Sequence, residues 1–225
     1  DEAFRAHIAL GGRIDFAAVL DNFCWPDPVQ SEEVPDGRYK LAQLVRACRG
    51  LKDACTAYGL PLISGKDSMK NDAVIGDVRI SVRPTLLVSL MGVIDDVSAS
   101  VSSDFKAEGD EIYLLGPSRG ELGGSILERV LGKPLAGCPD VHFDEALRLY
   151  RALSGCIRDG LIRSCHDLSE GGLAAAAAES CLGGRLGARI DLCCVPLPQG
   201  VLLTAAELLF CESPSRFLVS LHRDD

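Results

Sequence analysis

Residues 64–72 read SGKDSMKND and follow the apolar run Pro61-Leu62-Ile63. Two lysines, two aspartates, two serines and an asparagine fall within nine residues, with Met69 the one apolar side chain among them. A surface turn asks for a glycine and one or two polar residues, so this stretch offers more than a turn requires. Lys66 has no acceptor atom and cannot ligate a metal, but it can meet a phosphate as a point charge. A second dense stretch is CHDLSEGGLAAAAAES, residues 165–180. Here Asp167 or Ser169 is placed to cap a helix, and Gly171-Gly172 fall in its first turn. Glycine there costs about 1 kcal/mol relative to alanine, a cost that makes sense if a ligand lies close against the backbone. A helix start binds phosphate, and an adjacent aspartate can hold a Mg²⁺ that the phosphate also touches. The plainer alternative is a capped helix whose glycines pack on a neighbour. Two further stretches share the theme: DNFCWPDP (21–28) and FCESPSRF (210–217), the latter carrying Glu212, Ser213 and Ser215. Ligand sites in α/β proteins favour such strand ends. No nucleophile–base pair stands out, and His166, beside Asp167, reads first as a structural histidine.

The elements that must position these groups follow from apolar spacing. DEAFRAHIAL predicts a helix stopped by Gly11-Gly12, and residues 13–20 a strand that delivers Asp21 and Asn22 to a loop. Apolar side chains at 41, 44, 45, 48, 51 and 55 predict a helix over 38–58 with one buried face, ended by Gly59 and Pro61. A short strand at 61–63 then hands over to SGKDSMKND as a loop. PTLLVSLMGVI (84–94) predicts a strand buried on both faces. The composition turns polar at 104–109 and restarts with the strand IYLLG. Helices follow near 123–131, 142–159 and 169–182. Strands follow near 161–165, 186–192 and 215–221, with a mixed segment at 201–211. Helices and strands mix without strict alternation, which predicts an α+β fold in two domains, 1–106 and 107–225. A chain that opens in a helix and closes on a strand reads as part of something longer.

Composition bounds the function. The formal net charge is −9 with an apolar fraction of 47%, which predicts a real core and argues against nucleic-acid or anionic-membrane partners. No apolar run reaches the roughly 18 residues of a membrane span. Ten cysteines include no C-x-x-C pair and are expected to be buried free thiols of a reducing cytoplasm.

Taken in order, DNFCWPDP, PLISGKDSMKND, PTLLVSLMGVIDD, GDEIYLLG, HDLSEGGLAAAAAES and FCESPSRFLVS resemble the phosphoribosylformylglycinamidine synthase family across essentially the whole chain. The match is to the second of the two homologous synthetase halves. Other members of the aminoimidazole ribonucleotide synthetase superfamily, the selenophosphate synthetases and thiamine-phosphate kinases among them, fit the wording less well. The resemblance implies a partial A-type domain over 1–106 and a partial B-type domain over 107–225. It implies a C–N ligase of purine biosynthesis that takes its amide nitrogen from glutamine. Formylglycinamide ribonucleotide and ATP are the substrates, and Mg²⁺ is required. The first synthetase half and a glutaminase domain or subunit are the partners, and the A domain is expected to pair into a homodimer. It equally admits a non-catalytic half that holds a structural ADP with Mg²⁺ and scaffolds the active half.

Residue by residue, the resemblance places Asp21, Gly65 and Ser169 against ATP. It places Lys66, Ser68, Glu212 and Ser213 against substrate or phosphate, the Glu-Ser pair by analogy with the first half. Asp167 and Glu2 are implied as magnesium ligands, and no catalytic residue is implied in this stretch of chain. Two departures stand out. Lys66 occupies the place where smaller family members carry a metal-binding Asn, which leaves Asp67 as the nearby carboxylate. Ala6 stands where the metal pattern has an Asn one helical turn after Glu2.

Overall fold

The computed structural model describes residues 1–224. In chain order the elements are α1 (Glu2–Ala9), β1 (Ala17–Cys24), α2 (Gly37–Tyr58), β2 (Leu62–Ser68), β3 (Asp72–Ile75), β4 (Val78–Ser81), β5 (Thr85–Gly92), β6 (Glu111–Leu115), α3 (Ile126–Leu131), α4 (Phe143–Arg158), β7 (Ser164–Asp167), α5 (Gly172–Gly184), α6 (Ala205–Phe210) and β8 (Phe217–Leu221). They gather into two compact units. One is Asp15–Gly92; the other joins Asp1–Ile14 to the chain from Val93 onward.

In the unit 15–92, a three-stranded sheet runs in the order β2-β1-β5. β1 pairs with β2 in parallel and with β5 antiparallel. A parallel neighbour needs a crossover connection, and α2 supplies it. Gly59 ends α2 in the left-handed conformation with φ of 69°, its N–H bonding the carbonyl of Cys55. Three expectations change here. β2 continues through Ser64–Ser68, so SGKDS is strand and not loop. β5 is not buried on both faces: Leu86, Val88 and Leu90 are half-buried, whereas Leu87 and Met91 are 58% and 66% exposed. The apolar stripe of α2 is also narrower than expected. Leu44, Leu51 and Cys55 turn inward to the half-buried side and Tyr58 is buried, while Leu41, Val45 and Cys48 are exposed. One face of a small sheet is too narrow to cover a helix stripe that wide. The hairpin β3–β4, turning at Gly76-Asp77, was not expected at all.

The other unit holds the sheet β6-β8-β7, antiparallel throughout. Its core brings together Phe105, Leu168, Leu173, Ala176, Ala177, Val195, Leu208 and Leu218. The run of alanines in α5 lets this helix approach its neighbours closely, and Ala176 and Ala177 are both buried. α1 belongs to this unit. Phe4 meets Tyr150 edge-on at 5.8 Å, and Tyr150 meets Phe217 at 5.5 Å. The 93–106 segment is tied in as well, by Cys165 N–H to Ser102 O and Phe105 N–H to Ser180 O, both 3.1 Å. The compact units part near residues 14 and 93. The expected strand at 186–192 does not form. That stretch stays irregular, and Leu192–Cys194 makes a single 3₁₀ turn. All ten cysteines are free, but only Cys165 and Cys211 are buried.

Candidate functional site

In the sheet of the first unit, Asp21 pairs with Gly65, Asn22 with Lys66, Phe23 with Asp67 and Cys24 with Ser68. Side chains of paired residues share a face and alternate along each strand. Asp21 and Gly65 therefore lie on one face of the sheet, and Lys66 and Ser68 on the other. Apolar spacing predicts loops for all four, and the structure instead carries them within β1 and β2. Gly65 makes room for its neighbour: a Cβ there would meet the Asp21 carboxylate, which lies over the glycine and would have to swing aside. On the opposite face, Lys66 Nζ donates to Ser68 Oγ at 2.7 Å. Two residues apart on a strand, they point the same way, and the exposed ammonium is held next to a hydroxyl.

The rest of the charged stretch has a structural task. Asn71 Nδ2 donates to the carbonyls of Ser68 at 2.7 Å and Trp25 at 3.3 Å. Lys70 pairs with Asp27 at 3.4 Å, and Arg79 with Asp72 at 2.9 Å. Asp72 also accepts the Asp27 N–H at 3.0 Å. Lys70, Asn71 and Asp72 thus stitch the WPDP stretch that follows β1 to the start of the β3–β4 hairpin. Burial alone would raise the Asp72 carboxyl. Hydrogen bonds from Ser81, Arg79 and the Asp27 N–H outweigh it and bring its pKa down to about 2. Trp25 closes the loop from the other side by donating Nε1–H to the Lys40 carbonyl at 3.0 Å.

In the second unit, the helix after HDLSEGG begins three residues later than expected, at Gly172. Its N-cap is Gly171, with φ of 76°, and neither Asp167 nor Ser169 caps it through a side chain. Instead the Ser169 carbonyl accepts the Gly172 N–H at 3.2 Å. The costly glycines are explained without a ligand. A Cβ on Gly172 would strike the Cys211 carbonyl oxygen, and one on Gly171 would reach Ala175 Cβ at 2.7 Å. Glu212 Oε1 accepts the N–H of Gly171 at 2.9 Å and that of Ile126 at 2.8 Å. Ser213 is fully buried and accepts the Arg119 N–H at 3.0 Å. The Glu-Ser pair therefore binds the protein's own backbone, and a substrate contact does not fit Ser213.

Asp167 lies at the end of β7, with Oδ2 3.4 Å from Arg5 Nε. Glu2 is exposed on α1. Among the described residues, no group of three or more His, Cys, Asp or Glu side chains is arranged to hold a metal ion. Magnesium bound by Glu2 and Asp167 together does not fit this donor set: Ala6 offers no ligand and a guanidinium adjoins the aspartate. His166 is held between the Asp167 carbonyl and Glu179 Oε2, both at 2.7 Å, as a structural histidine.

Reading the sequence missed Arg216, which is fully buried. It donates to Ser213 O at 2.9 Å, Ser118 Oγ at 2.9 Å and Cys211 O at 2.6 Å. Burial pulls its pKa down. It organises the ESPSR turn, in which Ser215 takes a positive φ of 60°. Beside that turn lies a cavity of about 180 Å³, lined in part by Arg119, Asp140, His142, Glu145 and Ser215. Arg119 is already paired there with Glu145 at 2.6 Å. The ESPSR spelling is the one sequence signal near Arg216, where the resemblance implies a substrate contact for Glu212 and Ser213.

These features define a two-unit α+β chain whose strand-borne polar groups and helix-start carboxylate are set by backbone packing. The chain belongs to the family described as AIR synthase related protein, C-terminal domain, which matches residues 107–225, a little over half of its length. It is 39% identical over its full 225 residues to the phosphoribosylformylglycinamidine synthase subunit PurL of Leifsonia xyli subsp. xyli, and covers 27% of that protein. It is 38% identical over 214 residues to the same subunit of Thermosynechococcus vestitus, covering 26%. The chain thus spans about a quarter of these curated relatives. In fold it resembles Thermotoga maritima PurL complexed with FGAR, with a TM-score of 0.63 at 20% identity, over 98% of this chain and 33% of that one. It also resembles the hydrogenase maturation protein HypE in complex with ATP, with a TM-score of 0.66 at 15% identity, over 99% and 61%. No helix among the described residues is long and apolar enough to cross a membrane.

Proposed function

We propose that this chain is part of the synthetase of a phosphoribosylformylglycinamidine synthase, a cytoplasmic ligase of purine biosynthesis. The reaction converts formylglycinamide ribonucleotide, ATP and glutamine into the amidine, ADP, phosphate and glutamate. ATP phosphorylates the formamide oxygen. Ammonia released from glutamine by a glutaminase then adds at that carbon, and phosphate leaves. The observation that carries the reading is the likeness to PurL subunits over the whole chain, 39% identical across 225 residues in one of them. Asp21, seated over Gly65 on adjacent parallel strands, is the acceptor we assign to the nucleotide. Roles divide by face. Asp21 and Gly65 serve ATP, while Lys66, steadied by Ser68, meets the substrate phosphate. Within the second unit, taken by itself, Ser169, half-buried before α5, is the residue we assign to nucleotide. The first synthetase half completes the active site, so the chain alone does not form amidine.

A scaffolding role for the second unit is favoured by one observation: Glu212, Ser213 and Asp167 all bind protein groups. In that reading the unit holds the fold of the synthetase and carries no catalytic contact. Calorimetric titration of the chain with Mg-ATP and Mg-ADP tests the nucleotide assignment. Asp21→Asn is expected to weaken binding on the order of tenfold, the loss of one charge-assisted hydrogen bond. Equal binding by wild type and Asp21→Asn would overturn the assignment to Asp21.

A further inference from the structure

Arg5 is among the most buried charged side chains of the chain, with 3% of its surface exposed. Its guanidinium reaches two carboxylates, Asp1 through Nη1 at 2.8 Å and Asp167 through Nε at 3.4 Å. Asp1 is further engaged by Tyr150 Oη at 2.6 Å and by Ser215 Oγ at 3.2 and 3.3 Å. The neighbours of Arg5 are thus fixed from α4, β7 and the turn before β8. A carboxylate at the end of β7 is where a divalent cation is expected in this fold. Such an ion binds carboxylate oxygen at about 2.0–2.1 Å in an octahedron of oxygens. At Asp167 it would lie within a few ångströms of a desolvated guanidinium, where like charges repel strongly. The other expected donors are lacking or unplaced, because residue 6 is alanine and Glu2 is exposed.

We propose that Arg5 is the resident cation of the Asp167 position: its guanidinium holds the place of a divalent metal, and this unit binds no metal ion of its own. The positive charge needed beside Asp167 is then covalently supplied, and any magnesium that serves the chain arrives on the nucleotide. The proposal concerns the metal-free protein and stands apart from the nucleotide assignment. It predicts that removing the guanidinium converts Asp1 and Asp167 into an open pair of carboxylates able to take a cation.

The test is Mn²⁺ binding, followed by the loss of free-ion electron paramagnetic resonance signal, without nucleotide. Wild type and Asp167→Asn are expected to bind Mn²⁺ equally weakly. Arg5→Gln is expected to bind on the order of tenfold more tightly, and Arg5→Gln/Asp167→Asn to lose the gain. Wild-type binding that Asp167→Asn abolishes overturns the proposal. So does a folded Arg5→Gln, checked by circular dichroism, that gains nothing. If Arg5→Gln does not fold, the comparison of wild type with Asp167→Asn decides alone.

Discussion

Glu212 accepts the backbone N–H of Gly171, the N-cap of α5, at 2.9 Å, and the same oxygen accepts Ile126 N–H at the start of α3 at 2.8 Å. The first N–H groups of a helix have no intrahelical partner and attract negative charge. The protein meets that demand internally, from the turn after α6. Glu212→Ala leaves two N–H groups without their acceptor and is expected to lower stability by about 2 kcal/mol, in the range for hydrogen bonds to charged groups. Glu212→Gln keeps an acceptor oxygen and should lose less. Urea denaturation followed by circular dichroism reads both, and an unchanged midpoint for Glu212→Ala would show that the anchor is dispensable.

Gly65 is set by Asp21, not by turn geometry. Gly65→Ala places a methyl where the Asp21 carboxylate lies. The carboxylate must swing away, and β2 is an edge strand that tolerates the change. The expected outcome is a folded protein with normal circular dichroism and nucleotide affinity lowered at least as much as by Asp21→Asn. If Gly65→Ala binds Mg-ATP like wild type, the seat of Asp21 has no part in binding.

Asp72 gives the first unit a pH dependence with a definite sign. Its pKa falls from an ordinary 3.8 to about 2 in the folded chain. A carboxyl depressed by folding stabilises above its unfolded pKa, and that contribution is lost as pH falls through the folded value. The window is therefore between about pH 4 and pH 2. Asp72→Asn should be less stable than wild type near neutrality, and the gap should close across that window. Thermal unfolding of both proteins at several pH values measures it; a gap that stays constant to the acid end rules Asp72 out as the source.

Much of the fold was legible because apolar spacing survives in a single sequence. α1, α2 and α4 lie close to where periodicity put them, whereas β1 runs four residues further along than expected and takes Asp21 and Asn22 into the strand. What escaped depended on partners that a sequence does not display. Ser64–Ser68 reads as loop because its side chains are polar, yet its backbone is held by the register with β1. GARIDL alternates like a strand, but 185–189 runs irregularly along a cleft of about 790 Å³ beside β6 and joins no ladder. The site shows the same limit. Hydroxyl- and carboxylate-rich stretches mark where the backbone needs polar partners as readily as where a ligand does. Lys70, Asn71, Asp72, Glu212 and Ser213 fall on the backbone side of that ambiguity. Asp21, Gly65, Lys66 and Ser68 remain as ligand candidates because none of their side chains is taken up by the backbone: Lys66 bonds the neighbouring Ser68 hydroxyl, and it is the Ser68 carbonyl that holds Asn71 and Trp25.

The outer face of the β2-β1-β5 sheet carries the last prediction. Asn22 lies opposite Leu87, and Ala18 opposite Met91, so the two exposed apolar side chains of β5 stand on the face that also bears Lys66. A half-covered sheet of this kind gains by pairing with a second copy across a two-fold axis, which buries the β5 side of the face twice and leaves Lys66, on the opposite edge strand β2, open. The chain is therefore expected to sediment as a dimer at micromolar concentration. Leu87→Asp and Met91→Asp should shift it to monomer, since either sets a charge against its own symmetry mate's neighbourhood. Both positions are exposed in the single chain, so the substitutions should cost little stability in the monomer. A wild-type chain that sediments as a monomer would mean that this face is covered by a different partner, or by none.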